Sequence, residues 1–247
     1  MSRLIRAELR KVWATPTIWW LLLGTVGIGV LGTLAPLIAS DETATGLLTD
    51  RSLQEAMHGA AAGVTLVLVA GIIGMAGEWR FGQATTTFLV TPHRSRVVAA
   101  KAVVYLGVGT LFGAVAGAAA TITAWGWYRA NDITFPLDRS AVWLTFLGCL
   151  AVAMVFGPLG VAIGAIARNQ VVAIVATLAW LVLVEQALFA ASPAVFKWLP
   201  GTASFALRRQ PNDDLLSVGP AAMVLLGVLA AFLAAGIWFV ERADVTD

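Results

Sequence analysis

The chain has 247 residues, of which 59% are hydrophobic and 12% charged, with a formal net charge of +2 and a mean hydropathy of +0.85. A soluble domain is nearer ~45–50% apolar and ~25% charged, so this composition excludes an ordinary soluble fold and points to a membrane protein. The net charge is too small to imply a nucleic-acid partner, and the lone cysteine, Cys149, allows neither an intrachain disulfide nor a cysteine metal cluster.

The first element is Met1–Ala14. Ile5, Leu9, Val12 and Trp13 recur on one side at helical spacing, with Arg3, Arg6, Arg10 and Lys11 largely on the other. That pattern predicts an interfacial amphipathic helix over residues 1–16, ended by Pro16. The apolar run that follows, Thr17–Ala39, is longer than the ~7–15 residues of a signal-peptide core and is read as a retained span.

A spanning helix needs about 20 predominantly apolar residues. Six segments meet this: Thr17–Ala39, Gly59–Ala76, Ala102–Tyr128, Ser140–Ala167, Val171–Ala191 and Val218–Val240. None alternates apolar and polar residues as barrel strands do. The expected fold is an all-α membrane protein, with residues 1–247 forming one transmembrane domain.

Six spans place both termini on one side. If that side is the cytoplasm, ten basic residues lie inside and six outside, which the positive-inside rule favours. A plasma or inner membrane protein with cytoplasmic termini is therefore expected. Residues 192–219, on the outer side, carry Phe196, Trp198, Leu199, Phe205 and Leu207. So apolar a connection predicts short helices pressed onto the outer membrane face.

Between the second and third spans lies a longer cytoplasmic segment, 77–101. It holds Glu78, Arg80, Gly82, the run Thr85, Thr86 and Thr87, Pro92, Arg94, Arg96 and Lys101. Trp79, Phe81, Phe88, Leu89 and Val90 add apolar surface that a solvated loop would not carry, so the segment is expected to dock on another protein. The fourth and fifth spans, by contrast, are joined only by Arg168-Asn169-Gln170.

Small residues at four-residue spacing let helices approach closely. Gly109, Gly113 and Gly117 in the third span, and Gly160 and Gly164 in the fourth, fit that use, either within one subunit or at a dimer face. Glu185 is the charged residue within a span. It lies roughly 21 Å from the inner face at ~1.5 Å per residue, where a carboxylate facing lipid is costly. It is expected either to bond to a neighbouring helix or headgroup, or to line a pathway or gate together with Gln186.

His58 and His93 have no ligand partner at a recognised spacing, so no metal site is expected. The chain has three lysines and no G-x-x-x-x-G-K-[ST] loop. ATP, if it drives the protein, must be held by another chain.

Glu78, Arg80, Gly82, Thr85–Thr87 and the Pro92-His93-Arg94-Ser95-Arg96 element before Lys101 together resemble the cytoplasmic signature of ABC-2 type transporter permeases. The basic N-terminal helix, the six spans and the long outer segment before the last span resemble the same family across the whole chain. One departure is Gln83-Ala84 after Gly82, where many relatives carry Thr. The resemblance implies a non-enzymatic permease subunit of an ATP-binding cassette exporter, paired with a second permease copy, most simply as a homodimer. A separate ATPase subunit would hold ATP and magnesium. The N-terminal helix (Arg3, Arg6, Arg10, Lys11) and the 77–101 segment (Glu78, Arg80, Phe81, Gly82, Thr85–Thr87, Pro92, Arg94, Arg96, Lys101) would dock on it.

Competing readings are an ion-gradient transporter, a membrane enzyme, and a non-transporting scaffold or sensor. The first usually shows inverted repeats and midplane charges; the second needs acidic or histidine residues clustered at one depth. Neither pattern is evident.

Overall fold

Pro16 divides the N-terminal region into two helices, α1 (Ser2–Ala14) and α2 (Pro16–Ala39). Proline has no N–H to donate and disfavours helical backbone at the preceding residue. Thr15 is accordingly extended, with φ −93° and ψ 108°. Trp13 and Trp19 close over the break, ring centroids 5.2 Å apart.

This computed structural model describes residues 1–40, 44–80, 94–212 and 214–242, and the described residues form helices and turns without strands. After α2 come α3 (Ala44–Leu47) and α4 (Asp50–His58). Thr49 starts α4, its hydroxyl accepting the Ser52 N–H at 3.3 Å. A 3-10 turn, Gly59–Val64, leads into α5 (Thr65–Arg80). Two long helices follow, α6 (Arg94–Ala130) and α7 (Ser140–Ala167). Then α8 (Gln170–Ala179) passes through one π turn, Trp180–Val184, into α9 (Glu185–Ala191). Two short helices, α10 (Pro193–Phe196) and α11 (Pro200–Leu207), precede the last, α12 (Val218–Glu241).

Five helical stretches are long and apolar enough to cross a membrane: α2, α6, α7, the continuous rod from Gln170 to Ala191, and α12. The second expected span, Gly59–Ala76, is not one regular helix. Its first six residues are 3-10, and α5 itself has 16 residues. The local cause is contact with α2. Gly59 and Gly32 touch backbone to backbone, so neither has room for a side chain. Four residues on, the Thr25 hydroxyl donates to the Gly63 carbonyl at 3.2 Å.

The central and peripheral helices differ in burial. In the most apolar stretch of α7, 61% of residues are buried, and in α6 56%. The corresponding shares are 22% for α2, 17% for α12 and 11% for the Gln170–Ala191 rod. Glycine explains the tight centre. Gly109, Gly113 and Gly117 lie against Ala153, Leu150 and Phe146 of α7. On the other side of α7, Gly160 and Gly164 face α5, with Gly71 of α5 packed directly against Gly157 and Gly160. Every glycine in the two small-residue stripes is thus covered by the chain itself, and none serves a dimer face.

At one end of the bundle the helix termini are closed by arginine and asparagine. Arg168 ends α7 in the left-handed conformation, φ 51°, and Asn169 Oδ1 accepts the N–H groups of Val171 and Val172 to start α8. The last carbonyls of α12 lack helical partners; Arg168 donates to Phe239 O at 2.7 Å and Arg94 to Val240 O at 3.1 Å.

At the opposite end a second core gathers Leu37, Leu53, Met57, Tyr128, Phe135 and Val142. The Tyr128 hydroxyl donates to Leu47 O at 2.6 Å. The segment 192–219 contains the short helices α10 and α11, and α11 is embedded in the bundle. Thr202 and Ala203 are fully buried, and Gly148 of α7 admits the Leu207–Arg208 backbone against it.

This packing predicts that Gly160→Ala destabilises the protein by about 1–3 kcal/mol, because its Cβ would strike the α5 main chain. Gly107→Ala, with open space around its Cβ, should be neutral or stabilising by up to ~1 kcal/mol. Thermal unfolding in detergent compares the two; equal effects would show that the α5–α7 contact is looser than described.

Candidate functional site

Four charged side chains meet where α1, α5 and α6 converge. Glu8 and Lys11 lie one turn apart on α1. Glu78 sits in the last turn of α5, and Lys101 two turns into α6. They form a closed ring of alternating charge. Lys11 Nζ lies 2.8 Å from Glu8 Oε1 and 2.7 Å from Glu78 Oε1. Lys101 Nζ lies 2.9 Å from Glu78 Oε1 and also pairs with Glu8 Oε2.

The ring is largely out of water. The side chains of Glu8 and Lys101 are each 3% exposed and that of Glu78 6%, whereas Lys11 is 42% exposed at the rim. Ions leave water at a cost of several kcal/mol each, offset only when geometry and hydrogen bonding are good. Two carboxylates and two ammonium groups leave no net charge. Each ammonium bridges both acids, so removing any one member strands an opposite charge. Among the described residues, Glu78 Oε2 is buried without a hydrogen-bond partner. Beside the ring lies a cavity of about 520 Å³, whose wall includes Arg80, Tyr105 and Gln170 as well as the four charges.

Burial pushes the Glu8 carboxyl upward, but Lys101 and then Lys11 outweigh it and hold the group below its ordinary 4.5. For Lys11, burial pulls downward, and Glu78 and Glu8 overcome it to raise the group above 10.5. Nothing in the arrangement is a nucleophile poised beside a base. It fastens α1 to the helix entering the 81–93 stretch and to the helix leaving it.

Of the residues singled out from sequence, Lys11, Glu78 and Lys101 come together here. Arg80 lines the adjoining cavity. Arg94 faces the end of α12, while Arg96, Arg3, Arg6 and Arg10 are exposed. Phe81, Gly82, Thr85, Thr86, Thr87 and Pro92 lie outside the described residues. Glu8 was missed. The available signal was its isolation: it is the one acidic residue in the first forty, set among four bases. On α1, Glu8 and Val12 are buried against the bundle, while Leu9 and Trp13 are 40% and 47% exposed.

Glu185 lies at the opposite end and caps α11. Its Oε1 accepts the Gly201 N–H at 2.9 Å and the Trp180 Nε1–H at 3.1 Å, and Oε2 accepts the Thr202 N–H at 3.1 Å. A carboxylate at a helix N-terminus meets both unpaired N–H groups and the positive end of the dipole. The π turn directly before Glu185 accompanies this alignment, and such turns recur at functional sites. Gln186 is exposed beside it. Near the cap, and unanticipated from sequence, are Arg208, which is 3% exposed and donates through Nε to Ser204 O at 3.1 Å, and His58, edge-on to Phe205 at 5.5 Å. Burial, and secondarily Arg208, push the His58 imidazole down to about 3, so it is neutral near pH 7.

No group of three or more histidine, cysteine, aspartate or glutamate residues that could hold a metal occurs among the described residues. No family model, curated protein or solved structure matches the chain.

Two outcomes follow from the ring. Lys101→Met strands two buried carboxylates and should cost about 3–5 kcal/mol, with part of the loss recovered in Glu8→Gln/Lys101→Met; chemical unfolding of the two variants measures this. The second concerns pH. Glu8 has a lowered folded-state value, so its stabilisation is present above pH 4.5 and is lost as pH falls through the lowered value. Lys11 has a raised value, so its part is complete below pH 10.5 and is lost as pH rises through the raised value. Protection of α1 amides from hydrogen exchange, corrected for intrinsic rates, should therefore stay level between about pH 5 and 10 and fall on both sides.

Proposed function

We propose that the chain is the membrane-spanning permease subunit of an ATP-driven exporter, working as a pair of copies with a separate ATPase. The observation that carries this reading is the buried charge ring. It joins the N-terminal helix to both anchors of the 77–101 segment, so that a push on either is delivered to α5 and α6 together. A solvated loop between two spans has no need of such a joint. A chain moved by an external motor does.

In this reading the end of the bundle that carries the ring faces the cytoplasm, in keeping with the ten-to-six division of basic residues. Gly59–Val64 and α5 together make the second of six crossings. At ~2.0 Å per residue for the 3-10 part and ~1.5 Å for the helix they reach roughly 36 Å, enough for a hydrocarbon core of about 30 Å. At ~1.5 Å per residue α6 is roughly 55 Å long. Its first turns, which bear Lys101, would stand in the cytoplasmic interface and its body would carry motion across the bilayer. α1, with Arg3, Arg6 and Arg10 exposed, would lie where it meets both anionic headgroups and the ATPase.

Two measurements test this. In a Cys149→Ser background, Asp50→Cys should react with an impermeant maleimide in intact cells, and Arg96→Cys only after permeabilisation; the reverse pattern overturns the orientation. Affinity capture of the full chain from its native membrane should bring down a P-loop ATPase. In the reconstituted complex, Glu78→Gln/Lys101→Gln keeps the shape of the ring and removes half its charge. It should lower permease-dependent ATPase stimulation at least tenfold while the two subunits still co-purify. Unchanged stimulation, or capture without any ATPase, would favour a scaffold instead.

A further inference from the structure

The Gln170–Ala191 rod and α12 are the two least buried of the five candidate spans. The rod packs on α5 and α7, and α12 packs on α7, α6 and α11, but the two have no more than slight contact with each other. Between them lies a cavity of about 460 Å³. Its floor is Leu68 of α5 and the Phe156–Ile163 face of α7. Ala176 and Leu181 of the rod stand on one side, Val228 and Phe232 of α12 on the other. A smaller cavity of about 380 Å³, with a mixed polar wall that includes both Glu185 and Arg208, meets it at Phe156 and Leu181.

The larger cavity has almost nothing polar to offer a ligand. Among the described residues no charged side chain lines it. Its Trp180 Nε1–H is taken by Glu185 Oε1 at 3.1 Å. The Ala176 and Thr177 carbonyls both accept the Trp180 main-chain N–H, and the Trp180 carbonyl accepts that of Glu185. Pro200, also in the wall, has no N–H. The Thr177 hydroxyl remains. A charged group would lose its hydration here without gaining a partner, and apolar space of this kind stays free of water while accepting hydrocarbon.

Shape and depth narrow the occupant. Phe156 to Ile163 covers two turns of α7, roughly 10 Å at ~1.5 Å per residue, so the floor runs along the helix axes, as acyl chains do. Counted from Gln170, Ala176 and Leu181 lie roughly 9 and 17 Å along the rod at the same rise, well inside a hydrocarbon core of about 30 Å. A helix of another subunit, about 10–12 Å across, would occupy roughly 850 Å³ or more over two such turns, which exceeds the space.

We propose that this lateral cleft binds one hydrocarbon chain of a bilayer lipid, which enters between the rod and α12 and lies against Phe156 and Leu159. The chain is recognised and the headgroup is not. Binding needs neither ATP nor an ATPase, so its failure and that of the permease reading are distinguishable.

The test is photolabelling of the full chain in phosphatidylcholine nanodiscs that contain a trace of phosphatidylcholine with a diazirine midway along one acyl chain. Phe156 and Leu159 are 3% and 5% exposed, so bulk lipid reaches them only through the cleft, and residues 156–163 should be labelled. Ala176→Trp, an exposed change in the cavity wall, should cut that labelling at least tenfold. Val175→Trp, on the adjacent residue, which is 60% exposed and outside the wall, should leave it unchanged. Diacylglycerol with the same tagged chain should label 156–163 to within about twofold of the phosphatidylcholine probe. Labelling confined to exposed residues, or no effect of Ala176→Trp in a variant that elutes as the wild type does, would overturn the site. Labelling by one headgroup class alone would overturn recognition through the chain. An oxidative cross-link between copies through Ala176→Cys, in a Cys149→Ser background, would place a second copy over the cleft instead.

Discussion

Charges can stay out of water only in company. At one end of this bundle two carboxylates and two ammonium groups satisfy each other in a closed ring, and the placement of three helices follows from it. α1 buries little apolar surface: Val12 is its one buried hydrophobic residue. Leu4 and Ile5 pack partly buried beside it, and Glu8 and Lys11 add the charge pairs that fix its position. α5 and α6 meet the same ring at the two edges of the 81–93 stretch, where the ion pairs add to the apolar packing of Met75, Val97 and Val98. Ion pairs that fail when one partner leaves are directional in a way that apolar contact is not. That property suits a joint that has to hold one arrangement and release it as a unit.

The ring would have no effect on the rest of the molecule if the helices behind it could slide. Glycine prevents this. Gly71, Gly109, Gly157 and Gly160 bring the α5, α6 and α7 main chains into direct contact, and interfaces so close have few alternative registers. α6 then runs from Lys101 near the ring to Tyr128, whose hydroxyl is bonded to Leu47 at the far end. The peripheral α2, α12 and Gln170–Ala191 rod contact the centre along narrow stripes.

The far end solves its own polar problem differently. Glu185 is satisfied not by a lysine but by the N–H groups that open α11, and the absence of a side chain at Gly201 leaves room for the carboxylate. The cap orients α11 so that Arg208 is carried into the bundle beside His58. The two ends thus differ in kind. One is a closed charge ring, the other a polar chamber opening toward apolar space.

Much of the fold was legible in the sequence because lipid-crossing helices must be long, apolar and internally hydrogen-bonded. α2, α6, α7, the Gln170–Ala191 rod and α12 are recognisable from hydropathy, and Pro16 and Arg168-Asn169 mark their breaks. The broken start of the second segment was not, since it arises from the meeting of Gly59 with Gly32, residues distant in sequence. The importance of Glu78 and Lys101 was legible as charge beside an apolar run, but their partner Glu8 was not. A single acid on an otherwise basic helix looks like a solvent-facing residue until α5 and α6 arrive beside it. Likewise Glu185 was visible as an anomaly, and its alternatives stayed open, because hydropathy measures the cost of burying a carboxylate and not the donors waiting for it. Composition and periodicity determined which segments leave water. Only the tertiary structure decided which charges go with them, because that depends on contacts 93 residues apart, as between Lys101 and Glu8.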